Sequence, residues 1–276
     1  LSSEWEQEYA GGVEALSAWH HDGARAYAGD DALLKGGYVG LVNALAPGLT
    51  VHLGQQVTSV DWSGPTVQVN TATGLWAADA VVVTLPLGVL KAQDVAFAPS
   101  LPADKLAAIR DLGMGLLNKC VLRFAQPAWP ANVDWLGWMA PQRGEWVQWL
   151  NLLPALRQPV LMGFAAAEMA HEQEAWSDQQ VVGRAMRALR AMLGEQLPDP
   201  LDAQITRWAS DPWARGAYSF QAVGNTPALR RALAEPLAGR VYFAGEATAE
   251  RDFGSAHGAY LSGLRVADEL RERIGV

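Results

Sequence analysis

One segment near the end of the chain most constrains its fold. The apolar run Val241–Ala244 leads directly into Gly245, and a stretch rich in small residues, 256–263, follows. An apolar run that ends at glycine predicts a buried strand and a tight turn, because glycine lets the backbone approach a ligand closely. The small residues predict a helix start, whose free N–H groups suit a phosphate or another negative group. Tight strand–helix packing requires the same residues, so a ligand site and a packing role both stay open.

The rest of the chain alternates between helix and strand patterns, which predicts a mixed α/β protein. We expect helices at 4–20, 38–46, 102–110, 178–195 and 256–272. We expect strands at 51–53, 56–62, 66–71, 75–77, 80–84, 119–124, 147–152, 160–164, 203–209 and 240–244. The strands before residue 78 would form a β-meander, and the strand at 80–84 would lie in the core.

Composition excludes several classes of function. Lys and Arg number 21 and Asp and Glu 29, so the net charge is −8, which argues against binding nucleic acid. No apolar run approaches the ~18–20 residues of a membrane helix, so no membrane partner is expected. The single cysteine, Cys120, allows no intrachain disulfide, which fits a reducing, cytoplasmic location. The five histidines lack metal-ligand spacing, so we expect no metal.

Six blocks of the sequence resemble the flavin-containing amine oxidases, the family of the polyamine oxidases, monoamine oxidases and lysine-specific histone demethylases. The blocks are 36–46, 83–91, 97–102, 117–124, 208–219 and 241–263. They follow the order of that family, and their coincidence is far more specific than any one block. The resemblance implies a partial glutathione-reductase-like fold, in which an FAD-binding domain is interleaved with a substrate-binding domain.

The resemblance divides the chain into four stretches. Residues 1–35 would be a helical part of the substrate domain, and 36–95 the FAD-binding domain with the meander and the core strand. Residues 96–225 would form the substrate-binding domain. Residues 226–276 would complete the FAD-binding domain.

The resemblance also implies which residues bind FAD. The ribityl chain and the pyrophosphate would meet one loop, made of Gly245, Glu246, Ala247 and Thr248. The flavin N1–C2=O edge would face the helix start, made of Ala256, His257 and Gly258. Val57 would contact the adenine through its backbone. The flavin and the amine pocket would be lined by Trp208, Trp213 and Tyr218.

Lys119 is the residue that we expect to take part in the chemistry, together with Tyr218. In the family, the lysine at this point holds a water on flavin N5. Strand alternation places Cys120 and Leu122 on one face, and Lys119 and Arg123 on the other. A lysine beside an apolar flavin would be desolvated, which lowers its pKa. The alternative is an edge lysine that reaches into solvent.

Two positions depart from the monoamine oxidase pattern. Ala217 stands where those enzymes carry the cysteine that bonds to the flavin, so FAD should be bound non-covalently. Tyr218 matches one wall of their two-tyrosine cage, but Ser255 stands at the other wall. The departures favour a polyamine-oxidase-like or demethylase-like protein. Five tryptophans could line a substrate wall or form an ordinary aromatic core: Trp129, Trp135, Trp138, Trp146 and Trp149.

The glycine-rich loop that opens the family is not found in this sequence. That loop, G-x-G-x-x-G, holds the ADP half of the dinucleotide. Neither Gly11-Gly12 nor the Gly113–Gly115 stretch has its spacing. Because the chain begins at Leu1 rather than Met, we expect it to start within a longer protein. A preceding segment or a second chain would then supply the loop.

The implied reaction is oxidation of an amine C–N bond by hydride transfer to flavin N5, with O2 reoxidising the flavin and giving H2O2. Two alternatives stay open. One is another flavin oxidoreductase of the superfamily. Lys119 and Tyr218 argue against a desaturase. An amino-acid oxidase would need Arg123 or Arg215 to face the substrate carboxylate. The other is a non-catalytic fragment that keeps the fold and has lost FAD.

Overall fold

The computed structural model describes residues 2–25, 27–29, 32–34 and 36–275. Predictions for residues 1, 26, 30, 31, 35 and 276, within the domain ranges 1–35 and 226–276, lie outside the described residues. The helices are α1 Ser2–Tyr9, α2 Val39–Leu45, α3 Leu87–Ala92, α4 Ala103–Asp111, α5 Leu153–Leu156, α6 Ala167–Glu174, α7 Asp178–Leu193, α8 Ala228–Ala234 and α9 Ala256–Ile274. The strands are β1 Val57–Asp61, β2 Val67–Thr71, β3 Gly74–Ala78, β4 Val81–Val83, β5 Ala96–Ala98, β6 Gly113–Met114, β7 Leu117–Arg123, β8 Trp135–Gly137, β9 Gln148–Asn151, β10 Val160–Ala166, β11 Asp202–Ile205, β12 Ser219–Phe220 and β13 Val241–Phe243.

A five-stranded antiparallel sheet forms the middle of the chain, in the order β11-β7-β10-β9-β8. Its covered face packs against α6 and α7 and fully buries Cys120, Leu122 and Trp149. Opposite Cys120 stands Gly163, where a Cβ would lie 2.7 Å from the Trp149 ring. The indole therefore requires glycine at that position.

Helix α7 covers this sheet because its apolar residues recur at helical spacing. Val181, Ala185 and Leu189 are four residues apart and fully buried. A capping box starts the helix: the Ser177 Oγ accepts from the Gln180 N–H, and the Gln180 side chain accepts from the Ser177 N–H. The predicted helix at 178–195 is confirmed.

The predicted β-meander is confirmed as the antiparallel strands β1, β2 and β3, and β5, a strand that the sequence did not predict, pairs in parallel with β1 in the order β3-β2-β1-β5. β4 lies apart from it and pairs in parallel with β13, with Val83 opposite Phe243. Both sheets contribute to one apolar core with α3, α4 and α8. The prediction of a fully buried strand at 80–84 is wrong in part, because Val82 in the middle of β4 is 37% exposed.

A buried cation ties α4 to the end of α8. The Lys105 side chain is 1% exposed, and its ammonium donates to the carbonyl oxygens of Ala232, Leu233 and Glu235 at 2.7–2.9 Å. The same Nζ lies 4.0 Å from the centre of the Phe243 ring. The last carbonyls of a helix have no partner within the helix, and Lys105 supplies one for them.

Two glycine pairs that do not fit a dinucleotide loop serve packing. A Cβ on Gly11 or Gly113 would approach the Phe220 ring to 2.8 and 2.4 Å. A Cβ on Gly115 would lie 2.6 Å from the Ala10 Cβ. These contacts bring α1 and the β6–β12 pair together.

Three predicted elements are corrected. The helix expected at 4–20 ends at Tyr9, because Ala10 takes a positive φ of 56° and Gly11 must meet Phe220. Residues 51–53 form no strand and are exposed. The strand expected at 203–209 stops at Ile205, where the Thr206 hydroxyl turns back to accept from the Lys119 N–H.

Among the described residues, no helix is both long and apolar enough to cross a membrane. The same residues contain no cluster of His, Cys, Asp or Glu that could hold a metal ion.

Candidate flavin site

The end of β13 has the geometry that the sequence predicts for a ligand-facing turn. Gly245 takes a φ of +126°, a conformation that side-chain-bearing residues rarely adopt, and a Cβ there would meet nothing within 4 Å. Its N–H donates to the Ser262 Oγ on α9 at 2.8 Å, which ties the turn to the helix. Residues Glu246–Thr248 then form one 3-10 turn. The open space at the missing Cβ is a cradle that only glycine leaves free.

A cavity of about 250 Å³ opens beside this turn. It is lined by the segments at 83–87, 216–217 and 243–248, together with Leu90, Met114, Ala214, Leu233 and Ala259. β4 and β13 are parallel, so the cavity lies at the carboxyl ends of two adjacent strands, where α/β proteins place their ligands. The structure therefore brings together Gly245, Glu246, Ala247 and Thr248 of the predicted site.

The Glu246 carboxylate is bound within the protein. It accepts from the N–H groups of Ser219 and Gly254 at 3.0 and 2.7 Å, and from the Ser219 hydroxyl at 2.7 Å. Among the described residues, the backbone N–H groups of Glu246 and Ala247 have no acceptor, as expected at the start of a 3-10 turn. The backbone of this loop is thus free for a ligand, while the carboxylate braces the loop.

The start of α9 is fixed by packing and by a cap. The Ser255 Oγ accepts from the Gly258 N–H at 3.0 Å. A Cβ on Gly258 would lie 2.0 Å from the Asp252 carbonyl oxygen, so glycine is required. Ala256 and His257 are exposed at the helix start, and the His257 Nε2 lies 3.7 Å from the Asp252 carboxylate. Of this helix, Ala259 lines the 250 Å³ cavity.

Tyr218 stands between the sheet and the start of α9. Its ring approaches Gly254, where a Cβ would lie 3.2 Å from the ring. Its hydroxyl donates to the carbonyl oxygens of Gln7 and Glu8 in α1 at 3.0 and 3.1 Å. Burial, with smaller effects of Glu8 and Glu246, raises the pKa of this phenol. The ring is thus placed to line a pocket, while the hydroxyl anchors α1.

Lys119 lies on the face of the five-stranded sheet that no helix of α6 or α7 covers. Its strand partner is Phe164, and the amine lies 5.8 Å from the centre of the Phe164 ring. Trp135 stacks on Phe164 with the ring centres 5.7 Å apart. Among the described residues, no carboxylate or hydrogen-bond partner reaches the Lys119 Nζ, and burial lowers its pKa. The two faces of β7 alternate as predicted.

A chain of contacts connects Lys119 with the glycine turn. Phe164 belongs to an apolar cluster against which Ala217 and Tyr218 pack. Ala217 also lines the cavity beside Gly245. The strand that carries Lys119 is therefore linked to the turn through Phe164 and Ala217.

Eight predicted residues do not line the 250 Å³ cavity: Lys119, Tyr218, Ala256, His257 and Gly258, described above, and Val57, Trp208 and Trp213. Val57 lies at a β-bulge of β1, packed on the core of the meander. Trp208 and Trp213 are 38% and 62% exposed. The Trp208 N–H donates to the Asn118 side chain at 3.1 Å. Their assignment to the flavin and adenine stays a prediction.

The tryptophan group divides between the two faces of the sheet. Trp129, Trp146 and Trp149 are buried in the core behind it, and Trp138 packs against that core. Trp135 alone of the five reaches the Lys119 face, 56% exposed. The buried thiol of Cys120 also belongs to the core, where burial raises its pKa to about 12.

Sequence reasoning missed two residues that position the turn. Ser262, in the small-residue stretch, binds the Gly245 N–H through its hydroxyl. Arg230 in α8 is fully buried behind the turn. For Ser262, the only indication in the sequence was its place in the small-residue stretch. For Arg230, no sequence pattern indicates that the side chain is buried.

Residues 4–271 match the family model described as flavin containing amine oxidoreductase. The chain belongs to this family, which confirms the resemblance drawn from the sequence blocks.

Relatives and solved structures agree with this assignment. The chain is 39% identical over 268 residues to polyamine oxidase 4 of Oryza sativa subsp. japonica, covering 96% of this chain and 54% of that protein. It is 37% identical to human lysine-specific histone demethylase 2, covering 95% of this chain and 34% of that protein. A putrescine oxidase structure bound to putrescine superposes with a TM-score of 0.73 at 21% identity, over 85% of this chain and 53% of that one, which confirms the predicted fold class. The chain thus spans about half the length of the polyamine oxidase it matches.

Proposed function

We propose that this chain is the larger part of an FAD-dependent amine oxidase of the polyamine-oxidase type. The observation that carries the proposal is the cavity beside Gly245, whose lining residue Ala217 packs against the apolar cluster that contains Phe164, the strand partner of Lys119. The polyamine oxidases and the putrescine oxidase that resemble this chain support the choice of a small amine as substrate.

The cavity fits the isoalloxazine end of FAD. Gly245 leaves open space where a side chain would stand, and most of the lining is apolar, as a flat aromatic ring requires. Ala217 lines the same cavity and carries no thiol, so the cofactor would be held non-covalently. When bound, FAD supplies the two-electron oxidation of the amine, with O2 as the electron acceptor and H2O2 as the product.

The chain's own residues bind the amine and handle its proton. Phe164, Trp135 and Met162 give the open face of the sheet an apolar surface for the carbon chain of a substrate. Lys119 is desolvated and has no carboxylate partner among the described residues, and its burial lowers the pKa of the amine, which favours the form with a free lone pair. That lone pair can take the proton of a substrate ammonium through a water, and an unprotonated amine is the form that is oxidised.

The amino-acid oxidase alternative is disfavoured by its two candidate arginines. The Arg215 guanidinium binds the Asp94 carboxylate, at 3.1 Å from its Nη2. Arg123 lies 3.6 Å from the Asp202 carboxylate and is 45% exposed. Neither residue lines the cavity beside Gly245.

The ADP half of FAD would be held by a G-x-G-x-x-G segment that comes from a preceding part of the protein or from a second chain. Helix α2 has no buried residue although four of its seven residues are Val or Leu. Trp76, Val82 and Leu264 expose further apolar surface. Exposed apolar surface of this kind is typical of an interface.

The domain boundaries at 35, 95 and 225 and the cytoplasmic location belong to the same proposal.

The test is amine-dependent bleaching of bound flavin. We expect the chain purified with FAD to absorb at about 450 nm, and anaerobic spermine or putrescine to bleach that band. Lys119→Met should slow the bleaching about tenfold or more, whereas Lys91→Met, a lysine remote from this face, should not. A flavin-loaded chain that no amine bleaches, or a Lys119→Met variant as fast as wild type, would contradict the proposal. A chain that stays colourless with added FAD would support the non-catalytic alternative.

A further inference from the structure

Behind the glycine turn lies a fully buried guanidinium. Arg230, in α8, is 0% exposed. Its Nη1 donates to the Ser219 hydroxyl at 2.8 Å and to the Ala247 carbonyl oxygen at 3.1 Å, and its Nε donates to the Gln221 side chain at 3.1 Å. The guanidinium carbon stacks 3.7 Å from the centre of the Phe253 ring. The Ala247 contact lies on the turn that faces the cavity, and the Ser219 contact leads to it through Glu246.

Ser219 connects this cation with the Glu246 carboxylate. Its hydroxyl accepts from Arg230 and donates to Glu246 at 2.7 Å, and its N–H donates to the same carboxylate at 3.0 Å. The Gly254 N–H adds a third bond to Glu246 from the segment before α9. One buried network therefore holds both ends of the loop from Glu246 to Gly254.

A buried network of this kind is sensitive to the loss of either charge. An unpaired charge in a protein interior is costly, so removal of Arg230 would leave Glu246 without its counter-charge. Burial lowers the pKa of Arg230 to about 10, and Glu246 acts in the opposite direction. The neighbouring Arg231 is not buried: its side chain is 60% exposed and pairs with an exposed Glu250.

We propose that Arg230 is a positioning residue for the flavin-facing turn, acting through Ser219 on the Glu246 carboxylate and directly on the Ala247 carbonyl. The network fixes the backbone of Gly245, Glu246 and Ala247 so that the cradle and the two free N–H groups face the cavity. This inference rests on the proposed function only in that a flavin occupies the cavity. The hydrogen bonds of the network lie within the protein and need no flavin.

Amide hydrogen exchange tests the network in the absence of flavin. In Arg230→Met, exchange of the Ser219 and Gly254 amides, which both donate to Glu246, should become about tenfold faster or more than in wild type. The matched control is Arg231→Met, which removes the same side chain one residue along α8 and should change these two amides less than about twofold.

A double-mutant cycle shows whether Arg230 acts through the carboxylate. If it does, Arg230→Met made in a Glu246→Gln background should add less than about threefold to the exchange of the Gly254 amide. A multiplicative effect of the two substitutions would show independent structural roles and would overturn the proposal. If Arg230→Met does not fold, the same cycle with Arg230→Lys decides, because lysine keeps the charge but lacks the planar fork whose separate nitrogens reach Ser219, Gln221 and Ala247.

Flavin binding gives the second measurement. The FAD dissociation constant, from quenching of flavin fluorescence, should rise about tenfold or more in Arg230→Met and less than about twofold in Arg231→Met. Unchanged amide exchange in Arg230→Met would overturn this inference even if flavin binds. A wild-type chain that binds no flavin but shows the predicted exchange would contradict the proposed function and leave the network standing.

Discussion

Lys105 and Lys119 are both withdrawn from water, and their surroundings differ. Lys105, between α4 and α8, has every N–H of its ammonium directed at a carbonyl oxygen. Lys119, on the open face of the five-stranded sheet, has no such partner among the described residues, and only the Phe164 ring lies 5.8 Å away. Burial lowers the pKa of both, to about 8 in Lys105.

The difference teaches which buried cation serves the fold and which is available for chemistry. The ammonium of Lys105 is bound by three carbonyl oxygens, and the charges of Asp104 and Glu235 act against the lowering of its pKa. These hydrogen bonds stabilise the end of α8. Nothing comparable stabilises the charge on Lys119, so its amine can exchange a proton with a ligand. A desolvated group without a structural partner is a better candidate for function than one that is fully bound.

The largest effect on stability is expected at Lys105. Lys105→Met keeps the length of the side chain but leaves three buried carbonyl oxygens without a donor, which should lower the free energy of unfolding by ~3 kcal/mol. Urea denaturation measures it. If Lys105→Met costs no more than an exposed substitution, the carbonyl contacts do not stabilise α8 and the contrast with Lys119 fails.

The next effect is on catalysis at Lys119. Lys119→Met should reduce kcat/KM for an amine about tenfold or more, equivalent to ~1.4 kcal/mol of transition-state stabilisation. The same substitution should leave the free energy of unfolding unchanged or raise it, because a costly buried charge is removed. Lys119→Arg serves as the partner variant, since it keeps a cation that cannot deprotonate. Steady-state kinetics with both variants, and denaturation of the same samples, separate the two roles.

A smaller effect concerns pH. The native state binds the Lys119 proton less tightly than the unfolded chain, because burial lowers its pKa below 10.5. The cost of the buried charge is therefore fully present at neutral pH and fades as the pH rises toward the unfolded value. Lys119→Met should gain most over wild type near neutral pH, and the gain should shrink in alkaline buffer. A gain that grows with pH would show that the native amine is stabilised as an ammonium.

The smallest effect is expected at Lys91, the third lysine that the structure describes. Its Nζ donates to one carbonyl oxygen, that of Arg110, at 2.7 Å near the surface. Lys91→Met should change stability by ~1 kcal/mol or less and leave turnover unaffected. A loss as large as that of Lys105→Met would mean that the number of carbonyl partners does not set the cost.

The sequence was a good guide to elements with strong periodicity. The alternation around Lys119 and the apolar spacing of α7 both predicted the faces that the structure shows. The prediction that the first helix continues beyond Tyr9 was wrong. Gly11 packs against Phe220, a residue far away in the sequence, and this contact ends the helix. The strand at 51–53 failed for the opposite reason: Val51 and Leu53 have no partner strand and stay exposed.

At the candidate site, too, the sequence predicted the local features and missed the contacts between distant residues. The apolar run ending at Gly245 predicted a strand and a ligand-facing turn, since a local pattern requires both. The role of Glu246 could not be predicted, because its three partners come from residues 219 and 254. Arg230 gave no signal at all, because a buried arginine is recognised only by the groups that surround it.

The most direct test of the account is flavin binding by two glycine variants. Gly245 and Gly224 both have positive φ, +126° and +81°, and both have open space at the missing Cβ, so alanine strains the backbone at either position. Only Gly245 lines the cavity. In a fluorescence titration with FAD, we expect Gly245→Ala to weaken binding about tenfold or more and Gly224→Ala less than about twofold. Equal affinities in the two variants and wild type would contradict a flavin site at this turn.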